Sequence, residues 1–549
     1  MSYKNSILIL FVLFSMSVFP QSFTQEDSLL GSNTSYRAWW NVTHYQISIK
    51  PNYLTKTIAG YNTITYKVIS DTLPCVMQID LQEPLLVDSI ILDERKVLQF
   101  EKQKNRWLLS LNAQQKNSQH AITLYYHGKP KEAINPPWEG GFVWKKDSLS
   151  NPWMSVACQG IGASVWMPCK DLQSDEPEQG AILSMIVPDT LMAIGNGKNI
   201  AKHKMADGYM TYTWQVKNSI NVYNIIPYIG KYIAIKDSIK GEGGILHTDY
   251  WILDYHLNQA KQHLKPSVIK TLNCLEHWFG SYPFYEDSYK IVEAPYLGME
   301  HQSNIAYGNS YMNGYAGTDL YKTKWGLKWD FIVVHETAHE WFGNSITARD
   351  MADNWIHEGL ASYAEVLFTE CEFGKEAGND YCERMRTAIR NDMPLIGTYN
   401  VKKEGSGDMY SKGSNIIHLI RHVIDNDESF RVLLRAVTEH FNQKVITTKE
   451  FEDYLILQSG KDLQPLFDQY LRTTKIPYLE YTLKSGQLSF RYSNCINTFN
   501  IPIKIKTNQE FWIYPTTQWQ TIPVDKNTKA ISVNRNVYVL LKKQSKKSK

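Results

Sequence analysis

From about residue 38 to residue 238, apolar and polar positions alternate. Tyr45, Ile47 and Ile49 are interleaved with Gln46, Ser48 and Lys50. Ile64, Tyr66 and Val68 are interleaved with Thr63, Thr65 and Lys67, and Met210, Tyr212, Trp214 and Val216 repeat the pattern. A period of two turns successive side chains to opposite faces, as in half-buried antiparallel strands. The pattern predicts an N-terminal antiparallel β domain over 38–238. From about 249 to 478 the period lengthens. Val268, Leu272, Leu275 and Phe279 fall on one helical face that ends at Gly280. Thr447-Thr448-Lys449-Glu450 reads as a capping box opening a helix with Phe451, Tyr454 and Leu455. This region predicts a mainly helical domain with a small sheet before it, including a strand over 288–293. Alternation returns over 479–541, in Leu488, Phe490 and Tyr492 and in Ile501, Ile503 and Ile505. A small C-terminal β domain, of sandwich type, is expected there. The fold class is therefore multidomain α+β, and 549 residues fit about three domains.

The helical region holds His335-Glu336-Thr337-Ala338-His339. Histidines at i and i+4 lie one turn apart on one helix face, so both imidazoles reach one metal ion, and the Glu between them can act on water there. The stretch 325–342 contains no Pro, is rich in apolar residues, and predicts a buried helix stopping at Gly343. Glu358 follows His339 with 18 residues between and precedes the apolar stretch 360–368. It falls near the start of a second helix. Three protein donors with a fourth position left open is the arrangement of catalytic rather than structural zinc. Read alone, H-E-x-x-H also fits a pair of surface histidines. Buried imidazoles and carboxylates need partners, which favours the metal. A second constellation, Leu297-Gly298-Met299-Glu300-His301, follows the 288–293 strand. Glu300 reads either as a solvated loop charge or as an anchor for a substrate ammonium group.

These motifs resemble the gluzincin aminopeptidases, the family of aminopeptidase N and the leukotriene-hydrolase branch. The H-E-x-x-H-x18-E spacing matches its zinc signature, and His339-Glu340-Trp341-Phe342-Gly343-Asn344 matches its continuation. Leu297 to His301 is similar to its G-x-M-E-N exopeptidase loop. Tyr410-Ser411-Lys412-Gly413 is similar to its Y-x-K-G segment, and Gln159-Gly160-Ile161 to its substrate-binding glutamine segment. The resemblance runs from about residue 40 to 478. It implies a thermolysin-like catalytic domain and one Zn2+ held by His335, His339 and Glu358. It implies Glu336 as general base and Tyr410 as the donor to a tetrahedral oxyanion. Gln159, Gly298, Met299 and Glu300 are implied as substrate-binding residues, with Glu300 on the α-amine of a peptide with a free N-terminus. Leu297 and His301 depart from the loop's Gly and Asn, and the chain is expected to be a short form without the long C-terminal helical domain. Glu365, further along the second helix, reads as a partner of the metal ligands or as a solvated helix charge. The implied activity is removal of N-terminal residues from peptides. A thermolysin-like endopeptidase, a lipid epoxide hydrolase and a silent binding scaffold are the alternatives. The Glu300 loop argues against the first, and intact Glu336, Glu300 and Tyr410 against the last.

Composition narrows the setting. A net charge of +3 gives no strong attraction to nucleic acid. Lys4 followed by the apolar run 7–19 reads as a signal peptide over 1–24, cleaved near 18–25. The run is short for a membrane span. An exported protein, periplasmic or extracellular, with no span in the mature chain is expected; an uncleaved anchor is the alternative. Residues 542–549 are basic and read as a solvated tail. Seven Cys are too few to define the fold. Cys158/Cys169 and Cys371/Cys382 are close in sequence, and each pair is either bridged or packed as small apolar groups. The loop over 132–141, with two Pro and two Gly, is a candidate to approach the active site.

Overall fold

The computed structural model describes residues 23–70, 75–97 and 99–544. The expected signal peptide lies almost wholly outside the described residues, as do residues 545–549 of the basic tail. The architecture is an N-terminal β-rich domain, a helical catalytic domain and a C-terminal β domain.

The N-terminal domain is built on an eight-stranded sheet with Trp40–Asn52 and Thr57–Val68 near its middle. Its alternation works as read: Ile58, Ile64, Tyr66 and Val68 are fully buried while their neighbours are not. One feature departs from the expected antiparallel sheet. Trp40–Asn52 pairs in parallel with Ala181–Pro188, Tyr45 lying opposite Ala181. Alternation fixes which face a side chain takes, but it carries no strand direction. Four-stranded and three-stranded sheets complete the domain.

Strand Tyr232–Gly241 continues the N-terminal alternation yet forms a hairpin with Gly244–Leu253. That hairpin opens a five-stranded sheet with Tyr289–Glu293, Ile305–Tyr307 and Gly298–Met299. The sheet separates two cores. Tyr250, Ile252, Ile291 and Ile305 join the core of the helical and C-terminal regions. Trp251, Leu253, Val292 and Ala306 join the N-terminal core. Successive residues on these strands thus belong to different cores, so the short runs 250–253, 291–292 and 305–306 are apolar on both faces.

Behind the sheet lie the helices. Trp355–Phe373 is buried over its first fifteen residues, so the polar side chains among them, Glu358 and Glu365 included, need partners inside the protein. Lys265–Phe279 ends at Gly280 with φ 88°, a left-handed value that favours glycine. Thr448–Ser459 starts with the capping box between Thr447 and Glu450. The C-terminal domain holds a four-stranded and a three-stranded sheet, whose Leu479, Leu488, Phe490, Ile503 and Ile505 extend the catalytic core.

Neither close cysteine pair is bridged. Cys371 instead bonds Cys274, 97 residues away, with Cα atoms 6.2 Å apart, within disulfide reach. The bond ties Lys265–Phe279 to Trp355–Phe373. Cys158, Cys169 and Cys382 are free and buried. Sequence proximity failed as a guide: Cys371 meets helix Lys265–Phe279, while Cys382 is buried and free on the next helix, Lys375–Met385. Among the described residues, no helix is long and apolar enough to cross a membrane.

Candidate active site

The motif helix is shorter than the 325–342 stretch suggested, spanning Phe331–Ala338. Asp330 starts it by accepting from the amides of Ile332 (3.1 Å) and Val333 (3.3 Å), a strong N-cap. His339 is the C-cap residue and keeps helical angles, φ −63° and ψ −19°. Its imidazole therefore stays one turn from that of His335. Glu358 lies in the first turn of Trp355–Phe373, which packs against the motif helix.

Three atoms converge. His335 Nε2 and His339 Nε2 are 3.2 Å apart, and Glu358 Oε2 is 3.5 and 3.4 Å from them. Ligands about 2.0–2.1 Å from a tetrahedral ion are about 3.3–3.4 Å from each other, so the triangle has the size zinc requires. The outer ring nitrogens fix the tautomers. His335 Nδ1 donates to Glu365 Oε1 at 2.8 Å, and His339 Nδ1 donates to the Phe342 carbonyl at 2.9 Å. A carboxylate and a carbonyl only accept, so both Nε2 lone pairs face the shared point. Glu358 Oε2 is buried there without a hydrogen-bond partner among the described residues. Such an atom is costly unless a cation meets it. These residues fit a zinc ion.

Glu365, open between two readings in the sequence, is fully buried and also accepts from Tyr381 at 2.9 Å. Glu336 is buried beside the triad. Burial pushes its carboxyl upward while the imidazoles of His335 and His339 pull against it; a bound cation would add to that pull. Gly298 backs Glu336 so closely that a Cβ there would lie 2.6 Å from Glu336 Oε1. Only glycine leaves the carboxylate room. Tyr410, just before helix Ser411–Ile424, has its phenol pushed well above the ordinary range, first by burial and then by Glu358. It stays a proton donor.

Glu300 is buried on the same cleft, its carboxylate within 4.8 Å of donor atoms of Glu336 and His339. Tyr223 donates to its Oε1 at 3.0 Å, and Asn344 holds its backbone carbonyl at 2.8 Å. Gln159 comes from the N-terminal domain and donates its Nε2 to Glu358 Oε1 at 3.4 Å, leaving its Oε1 to accept. All nine residues singled out in the sequence line one cleft of about 1200 Å³, with Pro137 and Trp138 of the 132–141 loop at its wall. Of the two departures in the loop, Leu297 lines this cleft. His301 is fully buried and meets Tyr228 Oη at 2.6 Å.

Two family models match: the peptidase M1 N-terminal domain over 41–223 and the peptidase family M1 domain over 266–470. The chain belongs to peptidase family M1. This M1 peptidase is 22% identical to human aminopeptidase B (Homo sapiens) over 321 residues, covering 56% of the chain and 46% of that protein. It is 22% identical to endoplasmic reticulum aminopeptidase 1 of Mus musculus over 465 residues, 79% of the chain and 49% of that protein. The chain spans about half the length of the curated relatives it matches. Its fold matches an M1 zinc metallopeptidase variant from Deinococcus radiodurans bound to a Tyr-Ser-Ala substrate. The TM-score is 0.65 at 19% identity, over 79% of this chain and 95% of that one. A two-domain M1 zinc metallopeptidase variant bound to L-tryptophan gives 0.64 at 19% identity, over 76% and 91%.

Sequence reasoning assigned no role to Tyr223 or Tyr381. Each is one of 34 tyrosines without a distinguishing neighbour. Asn344 could have been found, since it ends the motif continuation after His339.

Proposed function

We propose that this M1 peptidase is a zinc aminopeptidase with one metal ion, cleaving the N-terminal peptide bond of peptides. The observation that carries this reading is the buried carboxylate of Glu300 standing beside the metal triad in one cleft. An endopeptidase has no use for an amine anchor there. Zinc, when bound, supplies a Lewis acid that acidifies water and polarises the scissile carbonyl. Glu300 accepts from the substrate ammonium through a charge-assisted contact, and Gln159 Oε1 accepts a second N–H. Both fix which end of the peptide reaches the triad. Glu336 takes the proton of the attacking water on its carboxylate and delivers it to the leaving amine nitrogen. Tyr410 donates its phenol proton as a hydrogen bond to the oxyanion. Gly298 and Met299, on the cleft wall, lie along the substrate.

The test compares an aminoacyl reporter with its N-acetylated twin on zinc-loaded protein. Cleavage of the free amine alone is expected. Equal cleavage of both would overturn the exopeptidase reading and favour an endopeptidase. We also propose export by the N-terminal signal; the Cys274–Cys371 bond supports an oxidising compartment. N-terminal sequencing of secreted protein should start near residues 18–25, and retention of Met1 in a cytosolic product would refute export.

A further inference from the structure

A second cavity adjoins the cleft at Gln159 and Glu300 and contains none of the three metal donors. Those two residues form the boundary between the spaces. The side chain of a substrate's first residue grows from the carbon that bears the amine. With that amine at Glu300 and the carbonyl at the triad, the adjoining cavity is where the side chain goes. Resting on the aminopeptidase reading above, we infer that this cavity receives the first side chain and that Glu404 selects a cationic one, lysine or arginine.

The charges lining the cavity support this. Asp171 is paired with Lys402 at 2.9 Å. Asp350 accepts from the amides of Ala352 and Asn400 at 2.9 and 2.8 Å. Arg349 faces outward toward Glu450 at 3.8 Å. Glu300 is committed to the amine. Glu404 is left: among the described residues it forms no ion pair, and its Oε1 accepts from Asn354 Nδ2 at 3.1 Å. Asn354 cannot turn to offer its oxygen instead, because its Oδ1 already accepts from Gln173 at 2.8 Å. The carboxylate is thus held in place with acceptor capacity to spare. Burial pushes it up to about 7, which a cation at close range would relieve.

The cavity walls suit the rest of such a side chain. Leu172, Val222 and Val401 are buried apolar residues on its lining. They offer a sleeve for a methylene stem, whose charged end continues to the carboxylate. The N-terminal helix Gln25–Gly31 closes one side. Gly31 packs on the Val401 backbone so tightly that a Cβ would lie 2.2 Å from its carbonyl carbon, and Lys402 N donates to Asp27 O at 2.9 Å.

The experiment measures kcat/KM for arginyl, lysyl, citrullyl, alanyl and leucyl reporters, citrulline being the uncharged isostere of arginine. Arginyl should exceed citrullyl by about ten-fold or more. In Glu404→Gln the arginyl-to-citrullyl ratio should fall toward one. Calorimetric binding of argininamide against citrullinamide reads the same preference without turnover and without a variant. Alanyl and leucyl cleavage with no preference for arginyl over citrullyl would overturn the inference and leave the aminopeptidase reading standing. No cleavage of any reporter, with argininamide still bound more tightly than citrullinamide, would overturn that reading and keep the cation site. Neither cleavage nor selective binding would overturn both.

Discussion

The metal end of the cleft draws its donors from two helices in contact, whereas the amine end draws Glu300, Gln159 and Tyr223 from three distant stretches of chain. At the metal end, His335 and His339 are one turn apart on one helix, and Glu358 and its neighbour Glu365 are two turns apart on another. Helix geometry alone does most of the positioning. At the amine end, Glu300 follows a short strand on the sheet that separates the two cores, while Gln159 and Tyr223 arrive from the N-terminal domain. That half exists only because the N-terminal core closes over the sheet. Metal binding and amine selection should therefore be separable by mutation.

The sharpest break comes from Glu336→Gln. Turnover should fall by about 100- to 10,000-fold, with bound metal per chain, read by elemental analysis, unchanged. Loss of the metal together with activity would make Glu336 part of the donor set. At the other end, Glu300→Ala should lower kcat/KM on free-amine reporters by about 10- to 150-fold, the loss of a charged hydrogen bond. Discrimination against the acetylated twin should shrink while metal content holds. Glu365→Ala should do the reverse, weakening metal affinity about 10- to 100-fold in chelator competition and leaving discrimination intact. The finest test is Tyr223→Phe, which removes one donor to Glu300 and should raise KM about 2- to 10-fold. If it altered metal affinity instead, the two ends would be coupled and the comparison would fail.

Much of the metal end is readable from the chain. The i, i+4 histidines, the Glu 18 residues on and the apolar stretches around them each encode a local helical geometry. The capping box at Thr447 and the stop at Gly280 are local in the same sense, and both appear in the structure. The amine end was legible through the Leu297–His301 resemblance, but its supports were not. Nothing beside Tyr223 or Glu404 in the sequence marks it, because each acts on a group far along the chain: Tyr223 on Glu300, Glu404 on Asn354. The motif helix also starts later and ends earlier than its apolar stretch implies: Asp330 caps its start, and it stops at Ala338, before the turn at Gly343 with φ 123°.

The sequence by itself determined the local elements: which stretches alternate, which run helical, and which three donors can meet one ion. Only the tertiary structure decided the parallel seam between Trp40–Asn52 and Ala181–Pro188, the sheet that Tyr232–Gly241 joins, and the bond from Cys274 to Cys371. It also decided that Gln159 reaches Glu358 across 199 residues. The reason is physical. Periodicity and capping record interactions within a few residues, whereas pairing partners are selected by the burial of whole faces against one another.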